Sequence, residues 1–321
     1  MNPSPPTLRQ LAYYQTGGCA KHLWGPRDAD ELCDMMSEIH RDGLDFFLLG
    51  AGTNSLVMDE DWDGAVIHFN NMQGHRLSGN SIFVEAGMSN TALAQLALTY
   101  SLQGCGWMNR LPGLLGATVR MNARCYGGEI SQIVKTVYTV DGQGHKQEYK
   151  DSSMFKGYKD TIFMDNGEVI YGALVELETG DPKEIKKKMD FCEQDRVSKG
   201  QFQHPSCGCV FKNDYSVGVP SGLLLQEAGV YEIKLNNTMI NPHHGNFLFN
   251  TGNATSREII EATLEMRERV YSKFGAWLAY EMEILGAIPS DLRTRLDEVR
   301  PHQLNTSALE PLRERFKLSR L

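Results

Sequence analysis

The sequence predicts a mixed α+β fold in about two domains. Short strand-like runs alternate with amphipathic helical segments through the first half, and the clearest helical pattern lies in the last third. The chain has 321 residues, enough for about two domains at roughly 100–200 residues each. Between the halves, the charged helical stretch 181–199 is typical of a connection. We place the domains at 1–184 and 185–286, with a C-terminal appendage at 287–321.

Strands are predicted where β-branched and aromatic residues form short runs bounded by turn residues. Turn signals include Asp63-Gly64 and Asp141-Gly142, and a late alternating run covers 281–285. The runs in the first half are Phe46–Leu49, Ala65–Phe69, Ile82–Glu85, Ile133–Val140 and Val169–Leu177.

Helices are predicted where apolar residues recur every three to four positions. Two shorter helices carry apolar faces over 32–39 and 93–100, the second ending at Gly104. The clearest helix begins at the capping box Thr255-Ser-Arg-Glu258 and ends at Gly275.

Composition excludes several classes of function. The formal net charge of −8 argues against a dedicated nucleic-acid binder, which normally shows a basic face. No run approaches the ~20 apolar residues of a membrane span, and the first ten residues hold no apolar leader segment, so we expect a cytoplasmic protein. The seven cysteines, an odd number without framework spacing, predict reduced thiols.

No metal site is expected. Cys207 and Cys209 form a CxC pair, but the partners needed for a tetrahedral site are not nearby in the sequence. His243 and His244 are adjacent, and adjacent residues on a strand point to opposite faces.

Two glycine-rich loops indicate a ligand. Gly50-Ala-Gly-Thr-Asn-Ser55 follows a strand but lacks the third glycine and the helix of a dinucleotide fold, so a Rossmann unit is not predicted. Such a loop is either a plain tight turn or a cradle for a pyrophosphate. The second loop, 111–123, has small residues in series, which let a flat ring lie against the backbone. Together they predict a large cofactor with a phosphate end and a ring end.

Nine motifs occur in the order found in one known family. They are Thr16-Gly-Gly-Cys-Ala20, Leu49-Gly-Ala-Gly-Thr-Asn-Ser-Leu56, Leu111-Pro-Gly-Leu-Leu-Gly116, Met121-Asn-Ala123 with Tyr126-Gly127, Gly157-Tyr-Lys-Asp-Thr-Ile-Phe163, Cys207-Gly-Cys-Val-Phe-Lys-Asn213, Ser221-Gly-Leu-Leu-Leu-Gln-Glu-Ala-Gly229, His244-Gly-Asn-Phe247 and Leu278-Ala-Tyr-Glu281. Over 16–286 the chain therefore resembles the UDP-N-acetylenolpyruvoylglucosamine reductase family.

The resemblance implies an FAD-binding domain of the vanillyl-alcohol-oxidase (PCMH) type, followed by a smaller α+β substrate-binding domain. It implies a reductase that uses FAD and NADPH to convert UDP-N-acetyl-3-O-(1-carboxyvinyl)glucosamine to UDP-N-acetylmuramate, in peptidoglycan precursor synthesis. The partners expected are that UDP-sugar and NADPH, and the chain is expected to be a monomer.

The resemblance also assigns residues. The cofactor-binding residues would be Gly50, Ala51, Gly52, Thr53, Asn54, Ser55, Pro112, Gly113, Gly116, Ala117, Asn122, Ala123 and Gly127. The substrate-binding residues would be Tyr158, Lys159, Lys212, Asn213, Glu227 and His244.

The catalytic residues implied are Cys209, Glu281 and Lys159, and two of them depart from the family pattern. Lys159 stands where the family has arginine, which keeps the charge but loses the planar bidentate grip on a carboxylate. Cys209 stands where the family has serine; a free thiol, with a pKa of about 8.5, is a better proton donor than an alcohol. Ala117 and Arg124 both stand where glycine is usual. Outside these motifs, Cys209 would be interpreted as a core thiol, Glu281 as a solvated strand charge and Lys159 as a surface lysine.

Two alternatives stay open. One is a flavin oxidase of the same superfamily acting on another small molecule, although the sequence shows no clear motif for covalent flavin attachment. The other is a flavin- or nucleotide-binding paralogue without the reaction, in which the substitutions at positions 159 and 209 record lost catalysis.

Overall fold

The computed structural model of the chain describes residues 7–318. Helices and strands alternate along it, together with short 3₁₀ turns. The helices are α1 (Ala29–Asp42), α2 (Asn90–Thr99), α3 (Leu115–Arg120), α4 (Pro182–Ser198), α5 (Ser221–Glu227), α6 (Ser256–Phe274), α7 (Ser290–Leu296) and α8 (Thr306–Leu318).

Most of the strands are short, and the longest, with eight residues, lies in a five-stranded antiparallel sheet. The strands are β1 (Ala20–Trp24), β2 (Phe46–Leu49), β3 (Ser55–Val57), β4 (Trp62–His68), β5 (His75–Ser78), β6 (Ser81–Glu85), β7 (Leu102–Gln103), β8 (Arg124–Cys125), β9 (Gly128–Glu129), β10 (Val134–Val140), β11 (Lys146–Tyr149), β12 (Phe155–Gly157), β13 (Asp160–Thr161), β14 (Val169–Glu176), β15 (Glu178–Thr179), β16 (Thr238–Ile240), β17 (Leu248–Asn250) and β18 (Glu283–Leu285).

The described residues form two compact units. Unit 1 contains residues 7–19, 52–62 and 199–318, and unit 2 contains residues 20–51 and 63–198. Helix α4 runs without a break through residue 185, and its apolar residues belong to the core of unit 2. Contacts therefore group 185–198 with the preceding residues. The functional division at 1–184, 185–286 and 287–321 stays a prediction.

Unit 2 has two larger sheets, and helices pack against each of them. The five-stranded antiparallel sheet has the order β11-β10-β14-β6-β5, and helices α2 and α4 bury apolar residues such as Leu93 and Met189 in the same cluster as Val84 and Ala173. The three-stranded sheet β1-β4-β2 shares a second cluster with α1, through Leu32 and other residues. Each helix packs its apolar face against the apolar face of a sheet, so the two contacting surfaces are removed from water.

Unit 1 is built around α6. This helix begins at the predicted capping box, in which Thr255 Oγ1 accepts from the Glu258 N–H at 3.1 Å, and ends at Gly275 in the left-handed conformation (φ 67°). One stripe of α6 packs in a core that also holds the buried Leu292 and Leu309 of the C-terminal segment. The pairs β16/β17 and β3/β18 complete unit 1.

The structure confirms the predicted strands of the first half to within three residues at each end, as well as α1, α4 and α6. Two expectations were wrong. Helix α2 ends at Thr99, not at Gly104, and Tyr100 is 46% exposed rather than part of the apolar face. The second glycine-rich loop contains the short helix α3. The sequence pattern did not predict this helix, because its six residues make fewer than two turns and show no apolar periodicity.

Candidate active site

The two glycine-rich loops meet in unit 2. A Cβ atom placed on Gly50 would lie 3.8 Å from Cβ of Ala117 and 3.8 Å from Cδ1 of Leu114. Gly50 follows β2, and Ala117 lies in α3. The sequence predicted one large cofactor from the two loops together, and the fold places these parts of the two loops side by side. Gly52–Ser55 belong to unit 1 and are described with it below.

The second loop lies against the end of β6 because its residues are small. The N–H of Gly116 donates to the Ala86 carbonyl at 2.9 Å, and the Gly113 carbonyl accepts from the Asn90 N–H at 3.1 Å. A Cβ atom on Gly116 would approach Cβ of Ala86 to 2.8 Å, closer than side chains tolerate. Gly113, after Pro112, has φ 124°, a conformation that favours glycine.

Two buried polar atoms beside these loops have no hydrogen-bond partner among residues 7–318. One is the acceptor Oδ1 of Asn122, whose Nδ2 donates to Glu129 and to the Gly157 carbonyl, both at 2.8 Å. The other is the donor Nδ2 of Asn90, whose Oδ1 accepts from Thr118 at 2.9 Å. Buried polar groups normally find partners. A flavin ring edge presents both donors and acceptors, so these residues and the small-residue loops fit FAD.

The segment after Ala123 is a tight hairpin. Strands β8 and β9 pair through Cys125 and Gly128, and the two residues between them, Tyr126 and Gly127, both have positive φ (51° and 79°). Positive φ at both central positions is typical of a type I′ turn, which matches the twist of paired strands. The turn sets Arg124 opposite Glu129.

Tyr158 and Lys159 form the turn of a second small hairpin in unit 2, between β12 and β13, in which Gly157 pairs with Asp160. Lys159 is half-buried and has φ 55°, a strained conformation for a residue with a side chain. The hydroxyl of Thr161 donates to the Arg120 carbonyl and ties this hairpin to the end of α3.

Cys209 and Glu281 lie on neighbouring segments of unit 1. The N–H groups of Glu281 and Met282 both donate to the Val210 carbonyl, at 2.8 and 3.2 Å. Two successive residues opposite one is the pattern of a β-bulge, a device that re-aims side chains and is enriched beside active sites. Cys209 and Glu281 are both partly exposed residues.

A buried asparagine holds the segment that carries Cys209. Asn246 Oδ1 accepts from the Phe211 N–H at 3.0 Å, and Asn246 Nδ2 donates to the Phe211 carbonyl at 2.8 Å. The Asn246 carbonyl also accepts from the Val210 N–H at 2.9 Å. Sequence reasoning missed this role, although Asn246 stands inside the matched motif 244–247.

The unit 1 part of the first glycine loop contacts the same segments. The Asn54 side chain donates to the Glu281 carbonyl at 3.0 Å, and the Asn54 carbonyl accepts from the Glu283 N–H at 2.9 Å. A Cβ atom on Gly208 would lie 3.9 Å from the Thr53 carbonyl oxygen. Ser55 begins β3, which pairs in parallel with β18, so no helix follows this loop, as the sequence predicted.

Lys212, Asn213 and His244 lie around the start of α5. Asn213 Oδ1 accepts from the Ser221 N–H at 2.9 Å, and a Cβ atom on Gly222 would lie 3.3 Å from His244 Cε1. The Lys212 N–H donates to the Ala279 carbonyl at 2.8 Å, which aligns 212 with the segment leading to Glu281.

His244 is held neutral. Burial lowers its pKa, and the Asn246 N–H points at its Nδ1 at 3.4 Å, which requires that nitrogen to be unprotonated. The predicted strand at His243 and His244 was wrong: both lie in the turn between β16 and β17, where the His243 N–H donates to Asn241 Oδ1 at 2.9 Å.

Glu227 ends α5 and is engaged by the C-terminal segment. Its carboxylate accepts from Arg315 of α8 at 2.5 Å. The sequence named Glu227 from its motif alone, and this partner, 88 positions further along the chain, had no local signal.

Comparison with known proteins defines the class of the chain. A family model described as "FAD binding domain" matches residues 20–149, and a model of the UDP-N-acetylenolpyruvoylglucosamine reductase C-terminal domain matches residues 200–285. No helix within 7–318 is both long and apolar enough to cross a membrane. The fold and these matches define an FAD-dependent oxidoreductase with a PCMH-type FAD-binding domain and a smaller α+β domain, which confirms the predicted fold class.

Full-length relatives settle the family. UDP-N-acetylenolpyruvoylglucosamine reductase of Carboxydothermus hydrogenoformans is 31% identical over 87% of this chain and 92% of its own. The reductase of Borrelia garinii subsp. bavariensis is 32% identical over 89% and 94%. The crystal structure of the Thermus caldophilus reductase superposes with a TM-score of 0.74, at 28% identity over 87% of this chain and 97% of that one. The chain belongs to the UDP-N-acetylenolpyruvoylglucosamine reductase family, so its class as an NADPH- and FAD-dependent oxidoreductase is confirmed.

Proposed function

We propose that this chain reduces the enolpyruvyl ether of UDP-N-acetylglucosamine to UDP-N-acetylmuramate, with Cys209 as the proton donor. Family membership gives the reaction and its place in peptidoglycan precursor synthesis. The observation that carries the residue roles is the bulge that sets Glu281 and Met282 against Val210, the neighbour of Cys209.

The reaction makes two demands on the protein. Bound FAD supplies hydride transfer from NADPH to the substrate double bond. The protein must stabilise the negative charge that develops beside the substrate carboxylate, and it must deliver a proton to the carbon that carries that charge.

Cys209 meets the second demand. A thiol is more acidic than the serine hydroxyl at this position in the family, and the side chain is partly exposed on a backbone that Asn246 holds in place through Phe211. After donation the thiolate regains a proton from solvent, so the residue returns to its starting form.

Glu281 and Lys159 meet the first demand. We assign Glu281 to donating a hydrogen bond from its protonated carboxyl to the developing enolate oxygen, since the bulge re-aims the side chains at this point of the segment. Lys159 contributes a positive charge toward the carboxylate, from a turn whose strained backbone the hairpin holds.

The other predicted residues have binding roles in this proposal. FAD binding falls to Gly50, Ala51, Gly52, Thr53, Asn54, Ser55, Pro112, Gly113, Gly116, Ala117, Asn122, Ala123 and Gly127. The nucleotide and sugar of the substrate fall to Tyr158, Lys159, Lys212, Asn213, Glu227 and His244. We also propose that the protein works as a monomer in the cytoplasm, which gel filtration and fractionation test.

One series of measurements tests the reaction. Purified protein should be yellow, bleach with NADPH, and reoxidise without oxygen when the enolpyruvyl substrate is added. Protein that bleaches but ignores that substrate while reacting with oxygen is an oxidase instead. Protein that binds FAD and does not bleach is a non-catalytic paralogue.

A pair of variants tests the proton donor. We expect Cys209→Ser to keep much of the activity, since it restores the family residue, and Cys209→Ala to lose about 10²-fold or more in kcat, the usual contribution of a positioned acid. The buried Cys192→Ala is the matched control for the loss of a thiol elsewhere. Equal activity in Cys209→Ala and the wild type removes Cys209 from the mechanism.

A further inference from the structure

Two hairpins of unit 2, at 124–129 and 155–161, are linked in the fold, and they carry two residues that depart from the family pattern, Arg124 and Lys159. Asn122 Nδ2 donates to the Gly157 carbonyl at 2.8 Å, which joins the start of the 124–129 hairpin to the 155–161 hairpin. Burial raises the pKa of the Cys125 thiol, and the cations Arg196 and Lys159 oppose that shift, which puts the Lys159 ammonium near residue 125.

Arg124 completes this arrangement. Its guanidinium carbon lies 5.2 Å from the centre of the Tyr158 ring, within the range of a cation–π contact. Its contact with the Glu129 carboxylate is long, at 3.9 Å, and the side chain is 43% exposed. The Arg124 guanidinium therefore lies over a neutral ring and within ion-pair distance of the Glu129 carboxylate.

The two cations have complementary chemistry. Lys159 is a point charge on a flexible stem, and it stands where the family has a guanidinium. Arg124 carries a planar guanidinium suited to bidentate binding of a carboxylate, and it stands where glycine is usual in the family. Tyr158 connects the two residues, because its ring contacts the Arg124 guanidinium and it directly precedes Lys159 in the sequence.

We propose that Arg124 is a substrate-binding residue that grips the enolpyruvyl carboxylate, supplying the guanidinium that position 159 lacks. This inference rests on the proposed function, because that function supplies the carboxylate. Arg124 acts with Lys159. The Arg124 guanidinium binds and orients the carboxylate, and the Lys159 ammonium stabilises the negative charge as the enolate develops.

Binding tests the proposal without turnover. UDP-N-acetylmuramate carries the carboxylate and UDP-N-acetylglucosamine does not, and both are titrated into FAD-loaded protein by calorimetry. We expect Arg124→Gln to weaken UDP-N-acetylmuramate about 10- to 100-fold, the usual value of a charge-assisted bidentate contact, and to change UDP-N-acetylglucosamine less than about 2-fold. Equal weakening of both overturns the assignment to the carboxylate.

Rescue and control variants complete the design. Lys159→Arg placed in the Arg124→Gln protein should restore most of the lost affinity for UDP-N-acetylmuramate, because it returns a guanidinium to the neighbouring turn. Arg76→Gln is the matched control: Arg76 is an exposed arginine of unit 2 whose guanidinium carbon lies 4.9 Å from the Phe83 ring centre. It should leave binding unchanged.

The outcomes separate the two proposals. An Arg124→Gln protein that melts like the wild type and binds UDP-N-acetylmuramate as well as Arg76→Gln does overturns the inference. Wild-type protein that holds FAD, binds UDP-N-acetylmuramate and fails to reduce the enolpyruvyl substrate overturns the proposed function, while the titrations still decide the role of Arg124.

Discussion

The hydrogen bonds of Asn246 to Phe211 make the position of Cys209 sensitive to one side chain. Asn246→Ala removes both bonds and leaves the N–H and the carbonyl of Phe211 without their partner, in a residue that is 1% exposed. A buried polar group left unsatisfied costs about 1–3 kcal/mol, so two of them cost about 2–6 kcal/mol of unfolding free energy.

Urea unfolding of the FAD-loaded protein measures this loss, which should lower the midpoint without changing the slope. The exposed Asn236 of unit 1 provides the control, since Asn236→Ala should stay within about 0.5 kcal/mol. Below the unfolding transition, Asn246→Ala should also lower kcat more than it raises KM, because the segment that carries the proton donor is loosened.

Asn246→Asp sharpens the test. It keeps the acceptor for the Phe211 N–H but replaces the donor with an anionic oxygen facing the Phe211 carbonyl. Protonation restores a donor, so the pKa of this acid should be raised in the folded state, and the stability of the variant should be greatest at low pH and fall as pH rises through that pKa. If Asn246→Ala destabilises the protein no more than Asn236→Ala does, the two hydrogen bonds do not hold this segment.

Three further predictions follow from packing and titration. Gly116→Ala should cost about 1–3 kcal/mol and weaken FAD retention, because its Cβ would lie 2.8 Å from Cβ of Ala86; Gly142→Ala, with nothing within 4 Å, is the control, and equal melting of the two variants refutes the clash. Because burial lowers the pKa of His244, the unfolded state binds a proton that the folded state refuses, so stability should fall as pH drops below about 6.5, by up to about 1.4 kcal/mol per pH unit. Urea unfolding at pH 7.5 and 5.5 should show a smaller loss for His244→Gln than for the wild type, and equal losses would contradict this. Leu309→Ala should cost about 2–5 kcal/mol in the same assay, since Leu309 is fully buried in the unit 1 core, whereas a negligible loss would mean that the C-terminal segment does not support that core.

Much of the fold was readable because its signals are local. The capping box at Thr255, the glycine that ends α6 at position 275 and the runs of the long sheet all act within a few residues of chain, and each appears in the structure as predicted. Helix α3 and the early end of α2 were not readable, because a six-residue helix has too few turns to show a period and no local residue forces α2 to stop.

The candidate site divides in the same way. The sequence named Cys209, Glu281 and Lys159 from motifs. A motif is enough to identify a thiol, a carboxylate and an ammonium as candidate catalytic groups. The motifs gave no sign that Asn246 holds Phe211, since that contact joins positions 35 apart, or that Glu227 pairs with Arg315 across 88 positions.

The sequence by itself determined the residue types, the small-residue loops and the order of the motifs, and these define an FAD-dependent reductase of the UDP-N-acetylenolpyruvoylglucosamine reductase family. Only the tertiary structure decided that Gly50 lies against Ala117, that a bulge sets Glu281 beside the Cys209 segment, and that Arg124 lies over Tyr158. The physical reason is that a motif records which groups are present within a short stretch of chain. Which groups from distant stretches come within hydrogen-bonding distance depends on how the buried surfaces of sheets and helices pack, and that packing is a property of the whole chain.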